Sequence, residues 1–334
     1  MKNLNLNNMQ PNLFNYSTSE LSQDAFICWL LEWAKPEYKE TDVLLNKTSN
    51  ELINKFFELS KVIVPKSINS VQIYKQYANI DVLCVINEEY PIIIEDKTNT
   101  QNHSDQLKRY FDTINKKYDE QKIIPIYFKT GDQDNYKKVK ENGYYLLLRV
   151  DFLAILNKGL QSGIKNQIFI DYAAHLQGIE DKRNSYKYLP INEWYYDSWI
   201  GYYKELQEKL GYGGWNYVAN PSGGFVGFCW YWIEFNGGEM YLQIEEKKFC
   251  FKIWVKNKSS RSELRNKIYW KIIQEANNHD IEVVKPDRFG NGQYMTVAVL
   301  KNEYRVTNSE NIIDMARTVE NIRKIEKILE GIKE

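Results

Sequence analysis

The apolar positions in the first half of the chain change period several times. Leu21, Ala25, Cys28, Trp29 and Trp33 recur at helical spacing and predict a first helix over residues 19–34. A second helix is expected over 50–60, after a polar connection. Three strand-like runs follow at 70–78, 80–86 and 91–97, the last two dense in Ile, Val and Leu and joined by the polar tip Asn87-Glu88-Glu89-Tyr90. Next come a helix over 104–118, a strand over 123–131, a helix over 134–143 and a strand over 144–150. Asp151 reads as the cap of a helix over 152–159, and another helix is expected over 166–179. This order predicts an α/β fold, a mixed central sheet flanked by helices.

Residues 178–190, GIEDKRNSYKYLP, are polar and end in proline, so a boundary is expected between a domain over 1–178 and a second over 190–334. The second half follows a different grammar. A helix over 192–210 leads into the glycine-punctuated stretch around Asn220, Pro221, Gly223 and Gly224, which supplies turn chemistry. The aromatic run FVGFCWYWIEF then reads as a central strand buried on both faces, or alternatively as a platform on which bases stack. In the hairpin over 240–255, Phe249, Phe251, Ile253 and Val255 alternate onto one face. A helix, two strands and a C-terminal helix from about Ser309 complete an accessory α+β domain with an antiparallel sheet, expected to recognise substrate or partner. Ile312, Ala316, Val319, Ile322 and Leu329 line one side of the last helix, for core packing or for a homo-oligomer seam.

The chain's 44 basic and 44 acidic side chains cancel, which argues against a histone-like coat of positive charge but leaves room for a local basic groove. The cysteines are scattered, with no C-x-x-C pair, and there are only 3 histidines. That argues against a structural zinc site and for a reducing, cytoplasmic compartment. The N-terminus lacks the apolar core of a signal peptide, and no run approaches the roughly 20 apolar residues of a membrane span. A soluble protein without a membrane partner is expected.

Charge changes the picture most at one strand end. The run Ile92-Ile93-Ile94 stops at Glu95-Asp96-Lys97, and Asp81 opens the neighbouring run. Paired residues of an antiparallel hairpin share a constant index sum. A turn centred on Glu88 therefore sets Asp81 opposite Glu95, with Cβ atoms about 5 Å apart. A turn one residue different would pair Asp81 with Asp96 on the other face. Glu95 and Lys97 share a face while Asp96 points away. Two carboxylates so close repel unless a cation lies between them. Oxygen ligands suit Mg²⁺ or Mn²⁺, which acidify a bound water and stabilise charge developing on a phosphodiester. Lys97 is placed to orient the attacking water or to neutralise the phosphate.

Asp81, Glu95 and Lys97, spaced D-x(13)-E-x-K at the ends of adjacent strands, resemble the motif of the PD-(D/E)XK nuclease superfamily. Gln106 and Tyr110, in QLKRY, resemble the Q-x-x-x-Y motif of its RecB-like branch; four apart on a helix, they share a face. STSELSQDAFICWL resembles the first-helix motif, with Glu20 at the position of its glutamate. The resemblance covers residues 14–175 and departs at Ile80, where the family has proline. It implies a restriction-endonuclease-like core and Mg²⁺- or Mn²⁺-dependent hydrolysis of nucleic acid, DNA ahead of RNA. It further implies that Asp81, Glu95, the Asp96 backbone carbonyl and Glu20 ligate metal, while Gln106 and Tyr110 position the lysine and the DNA backbone. Prokaryotic defence or restriction follows from the company such nucleases keep.

Plainer readings compete. Glu95-Asp96-Lys97 also reads as a solvated strand end with a weak surface ion pair. Ser17 and Glu20 fit a capping box, and Gln106 with Tyr110 fits a helix face packed on a sheet. His103 is treated as incidental, and the lysines at 116–117 and 137–140 as solvated helix faces unless they flank the groove. The rival function is a nuclease-like protein that binds nucleic acid or senses a partner with its chemistry silent or triggered.

Overall fold

The computed structural model describes residues 11–98, 105–219 and 223–332, so His103, Asn220 and Pro221 lie outside the described residues. Contacts divide the chain into two compact units, Met1–Glu180 and Asp181–Glu334. No helix among the described residues is long and apolar enough to cross a membrane.

The first unit begins with α1 (Glu20–Glu32) and α2 (Val43–Ser60). Helix α1 buries the stripe read from its apolar spacing only in part, with Cys28, Trp29 and Trp33 packed half-buried against the core. Its inner face is Gln23, Asp24, Phe26, Ile27, Leu30 and Leu31, while Leu21 is 57% exposed. Two polar residues are turned inward because the sheet end beneath them presents polar partners. Helix α2 starts well before residue 50 because Asp42 caps it, its Oδ1 accepting from the N–H groups of Leu44 and Leu45.

Strands β1 (Val71–Tyr77), β2 (Ile80–Ile86) and β3 (Tyr90–Lys97) form an antiparallel meander. Helix α3 (Gln106–Asn115) leads to β4 (Ile124–Lys129), and the short α4 (Lys137–Glu141) leads to β5 (Tyr145–Leu148). Strands β4 and β5 add in parallel, giving the order β1-β2-β3-β4-β5. Helices α5 (Arg149–Gln161) and α6 (Gln167–Asn184) follow. Asp151 is not the cap of α5 but its third residue, and its carboxylate accepts from the N–H of Leu148, where the strand ends.

A mixed sheet covered on both sides reads as near-continuous apolar strands. Val82, Cys84, Ile86, Ile92 and Ile94 pack into a core with residues of α1, α2, α5 and α6, such as Phe26, Phe56, Phe152 and Tyr172. Leu83, Val85, Ile93 and Tyr127 pack into a second core with Leu107, Tyr110, Ile114 and Val139 of α3 and α4. The segment 178–190 is helical at its start. Helix α6 runs through it to Asn184, and a single 3₁₀ turn, Ser185–Lys187, follows. Its charges are those of a solvated last turn with local partners, Glu180 accepting from Arg149 and Arg183 pairing with Asp197.

The second unit contains α7 (Tyr196–Leu210), β6 (Gly214–Val218), β7 (Phe225–Phe235), β8 (Gly238–Glu245) and β9 (Lys248–Trp254). Then come α8 (Arg261–Asn278), β10 (Val283–Val284), β11 (Tyr294–Leu300) and α9 (Met315–Glu330). The six strands form an antiparallel sheet in the order β10-β11-β9-β8-β7-β6. Phe249, Phe251, Ile253 and Val255 all enter one core with residues of α7, α8 and α9. Helix α9 starts later than Ser309, at a cap made by Asp314, and packs Val319, Ile322, Ile325 and Leu329 into that core. Strand β7 is not buried on both faces. Val226, Phe228, Trp230 and Ile233 point into the core, whereas Trp232 is 49% exposed. A bulge at Tyr231, with φ 61°, breaks the alternation between Trp230 and Ile233.

Candidate active site

The loop between β2 and β3 fixes the geometry. Asn87 and Glu88 adopt φ 52° and 59°, and the Asn87 side chain anchors the loop by accepting from the N–H of Asn69 at 2.7 Å. The resulting ladder pairs Ile86 with Tyr90 and continues to Val82 with Ile94. Asp81 is the next residue outward. Its carboxylate replaces a ladder rung, Oδ2 accepting from the Asp96 N–H at 3.0 Å. Asp81 is thereby held over the end of β3, on the face that carries Glu95 and Lys97.

Those two side chains are buried, Glu95 at 0% and Lys97 at 7% exposure, which removes the reading of a solvated strand end. Lys97 Nζ lies 2.6 Å from Glu95 Oε1, 3.6 Å from Asp81 Oδ2 and 3.9 Å from Glu20 Oε2, and it donates to the Asp96 carbonyl at 2.8 Å. Glu20 makes no capping box. Ser19 is the N-cap of α1, and Glu20 Oε1 accepts from the Thr98 N–H at 3.0 Å and the Thr98 hydroxyl at 3.3 Å. Gln106, at the start of α3, donates through Nε2 to Glu95 Oε1 at 2.9 Å and to the Tyr110 hydroxyl at 2.8 Å. All six side chains singled out from the sequence therefore converge. The Asp96 side chain points away while its carbonyl faces the lysine.

Three carboxylates around one ammonium leave the site with excess negative charge. Burial first, and then the charge of Asp81, pushes Glu95 up to about 8. Burial works against the Lys97 ammonium, but Glu95, Asp81 and Glu20 outweigh it and hold the lysine protonated above its usual range. Glu95 Oε1 serves both Lys97 and Gln106, whereas its buried Oε2 has no hydrogen-bond partner among the described residues.

The opposite face of β3 holds polar groups that the sequence reading missed. Asp96 Oδ1 accepts from Gln23 Nε2, and Gln23 Oε1 accepts from the Thr130 hydroxyl at 2.8 Å. This chain ties α1 to the ends of β3 and β4. Asp24 lies beside it, pushed up to about 6 by burial and then by Asp81. Burial and then Asp24 drive Asp96 upward as well. Lys129 ends β4 on the rung beside Lys97, and burial lowers its ammonium to about 8. The spacing Glu20, Gln23, Asp24, Ile27 at one helical stripe was the available signal for Gln23 and Asp24; Lys129 belonged to no motif.

Among the described residues no three acidic, imidazole or thiol groups stand ready-made to hold a metal ion. The donor set fits one nonetheless. Its donors are hard oxygens, an ammonium already marks the point where positive charge is demanded, and Glu95 Oε2 lacks a partner.

An α/β core that brings acids and a lysine to the carboxyl end of a central strand, backed by a Q-x-x-x-Y helix, has the architecture of a restriction-endonuclease-like nuclease. The sequence model of the PD-(D/E)XK nuclease superfamily matches residues 11–205, more than half of the chain, and the protein belongs to that superfamily. Membership points to nuclease activity on nucleic acid, and such nucleases generally use divalent metal ions. No match was found among curated proteins or among solved structures.

Proposed function

We propose that the protein is a Mg²⁺- or Mn²⁺-dependent nuclease that hydrolyses phosphodiester bonds in DNA, with residues 1–178 as the nuclease domain and 190–334 as an accessory recognition domain. The observation that carries the reading is the convergence of Asp81, Glu95 and Glu20 on the Lys97 ammonium at a buried strand end. DNA is favoured because Gln106 and Tyr110 match a motif implied to position the DNA backbone.

Asp81, Glu95 and the Asp96 carbonyl would hold the ion, with Glu20 joining from α1. Bound there, it supplies a polarised phosphoryl oxygen and an acidified water. Lys97, once it leaves the Asp96 carbonyl, holds a proton at Nζ to orient the attacking water or neutralise the phosphate. Gln106 keeps Glu95 from rotating by binding Oε1, and Tyr110 in turn accepts from Gln106. Gln23 and Thr130 keep α1, and with it Glu20, against the strand end.

The test is cleavage of supercoiled plasmid, linear duplex, single-stranded DNA and RNA by the full chain in Mg²⁺, Mn²⁺ or EDTA. The reading expects metal-dependent DNA cleavage that Asp81→Asn abolishes. Cleavage that persists in EDTA, or in that variant, refutes it.

A further inference from the structure

The C-terminal sheet buries one face against α7, α8 and α9. Strand register determines what its other face carries. Across β11, β9 and β8 one row is Thr296, Lys252 and Tyr241, and the next is Tyr294, Trp254 and Glu239. Trp232 of β7 extends the first row. It lies flat on Tyr241, ring centroids 3.9 Å and planes 12° apart, and half of its surface stays in water. Tyr294 is 60% exposed. Single exposed aromatics are ordinary, but four rings gathered on one sheet face, with Trp232 and Tyr294 open to water, form a patch of the kind that marks a binding surface.

Charge on the same face is arranged around one cavity, where Lys248, Lys252, Lys285 and Arg288 stand against Glu239, Glu245 and Asp287. The loop after β10 brings Lys285 and Arg288 to a cavity of about 320 Å³ that Lys248 and Thr296 also line. Of the two acids lining it, Glu245 and Asp287, the first is already held by Lys252 at 2.9 Å. A cationic cavity thus adjoins an exposed aromatic surface.

We infer that this face binds single-stranded DNA, with bases stacking on Trp232 and Tyr294 and phosphates held by Lys248, Lys285 and Arg288. Aromatic faces in water suit unpaired bases, because every base has a π-face and a duplex hides it, and the adjoining cations match the backbone. The inference deepens the nuclease reading, on which its purpose as a substrate-recognition surface rests. Binding itself needs no catalysis.

The test is fluorescence anisotropy with labelled oligothymidylate and the full chain in EDTA, which keeps it separate from cleavage. Tyr294→Ala and Trp232→Ala should each weaken binding about tenfold. Lys285→Ala combined with Arg288→Ala changes exposed loop residues and leaves the sheet untouched. It should weaken binding and reduce the slope of log K against log salt by roughly 1.4, at about 0.7 for each phosphate of a single strand that is no longer neutralised. Circular dichroism checks that each variant folds. Unchanged affinity and salt slope in the loop variant, tighter binding to duplex, or binding confined to RNA overturns the inference. If the protein binds the strand but never cuts DNA, the nuclease reading fails while this surface stands.

Discussion

Replacing Lys97 by Met removes the cation that Glu95, Asp81 and Glu20 share at 2.6, 3.6 and 3.9 Å. Breaking a buried ion pair from one side costs about 3–5 kcal/mol. Glu95 can escape part of that cost by taking up a proton, which puts the expected loss near the lower end, about 3 kcal/mol in alkaline solution. The sign with pH follows from Glu95, which burial raises from 4.5 to about 8. The stability linked to its protonated form is full below pH 4.5 and drains away as pH rises through about 8. Without the lysine the folded value climbs further, so the variant loses stability more steeply over that window and recovers on acidification. For a unit of this size, about 3 kcal/mol corresponds to a fall in Tm of roughly 6–12 °C. Divalent metal should raise the variant's Tm more than the wild type's, because an ion there replaces the missing ammonium. Plasmid cleavage should fall by about 10²- to 10³-fold, the usual worth of one preorganised donor at a developing negative charge. Thermal melts at pH 6 and pH 9, with and without Mn²⁺, read the stability. A Tm equal to wild type at both pH values, together with undiminished cleavage, would refute the reasoning.

Three other outcomes are expected. Because Glu95 is mostly protonated at pH 7, metal binding should release about one proton per ion, seen by calorimetry in buffers of different ionisation enthalpy. Glu95→Gln should abolish that release, and heats independent of buffer would contradict it. Gln106→Ala removes both hydrogen bonds that steady Glu95 and Tyr110, so cleavage should drop by about one to two orders of magnitude for about 1 kcal/mol of stability, measured by urea unfolding. Gln23→Leu leaves the buried Asp96 carboxyl without its donor and loosens α1, at about 1–3 kcal/mol; unchanged unfolding and cleavage would dismiss Gln23 as a positioning residue.

The strand-end site was legible because its determinants are local. An odd-numbered loop centred on Glu88 sets the β2–β3 register, alternation sets which of three consecutive charges face inward, and helical spacing brings Gln106 to Tyr110. Helix α1 was misread in part, for a physical reason. Counting apolar residues assumes that the buried face is apolar, whereas Gln23 and Asp24 are buried to meet Asp96 and its neighbours. The segment 178–190 reads as a boundary from its polarity, and the part of it that is the last turn of α6 is polar because it is solvated. In β7 a single inserted residue at Tyr231 shifts the alternation, which is what leaves Trp232 in water. Lys129 becomes visible only when the parallel pairing of β3 with β4 sets it beside Lys97.

The most direct test of the central claim is anomalous diffraction from crystals soaked in Mn²⁺. The account predicts a peak within coordination distance of Asp81 and Glu95, with Lys97 turned away from the Asp96 carbonyl, and no such peak in Asp81→Asn. Lys97 still bonded to Glu95 and to that carbonyl, with no peak between the acids at saturating Mn²⁺, would contradict it.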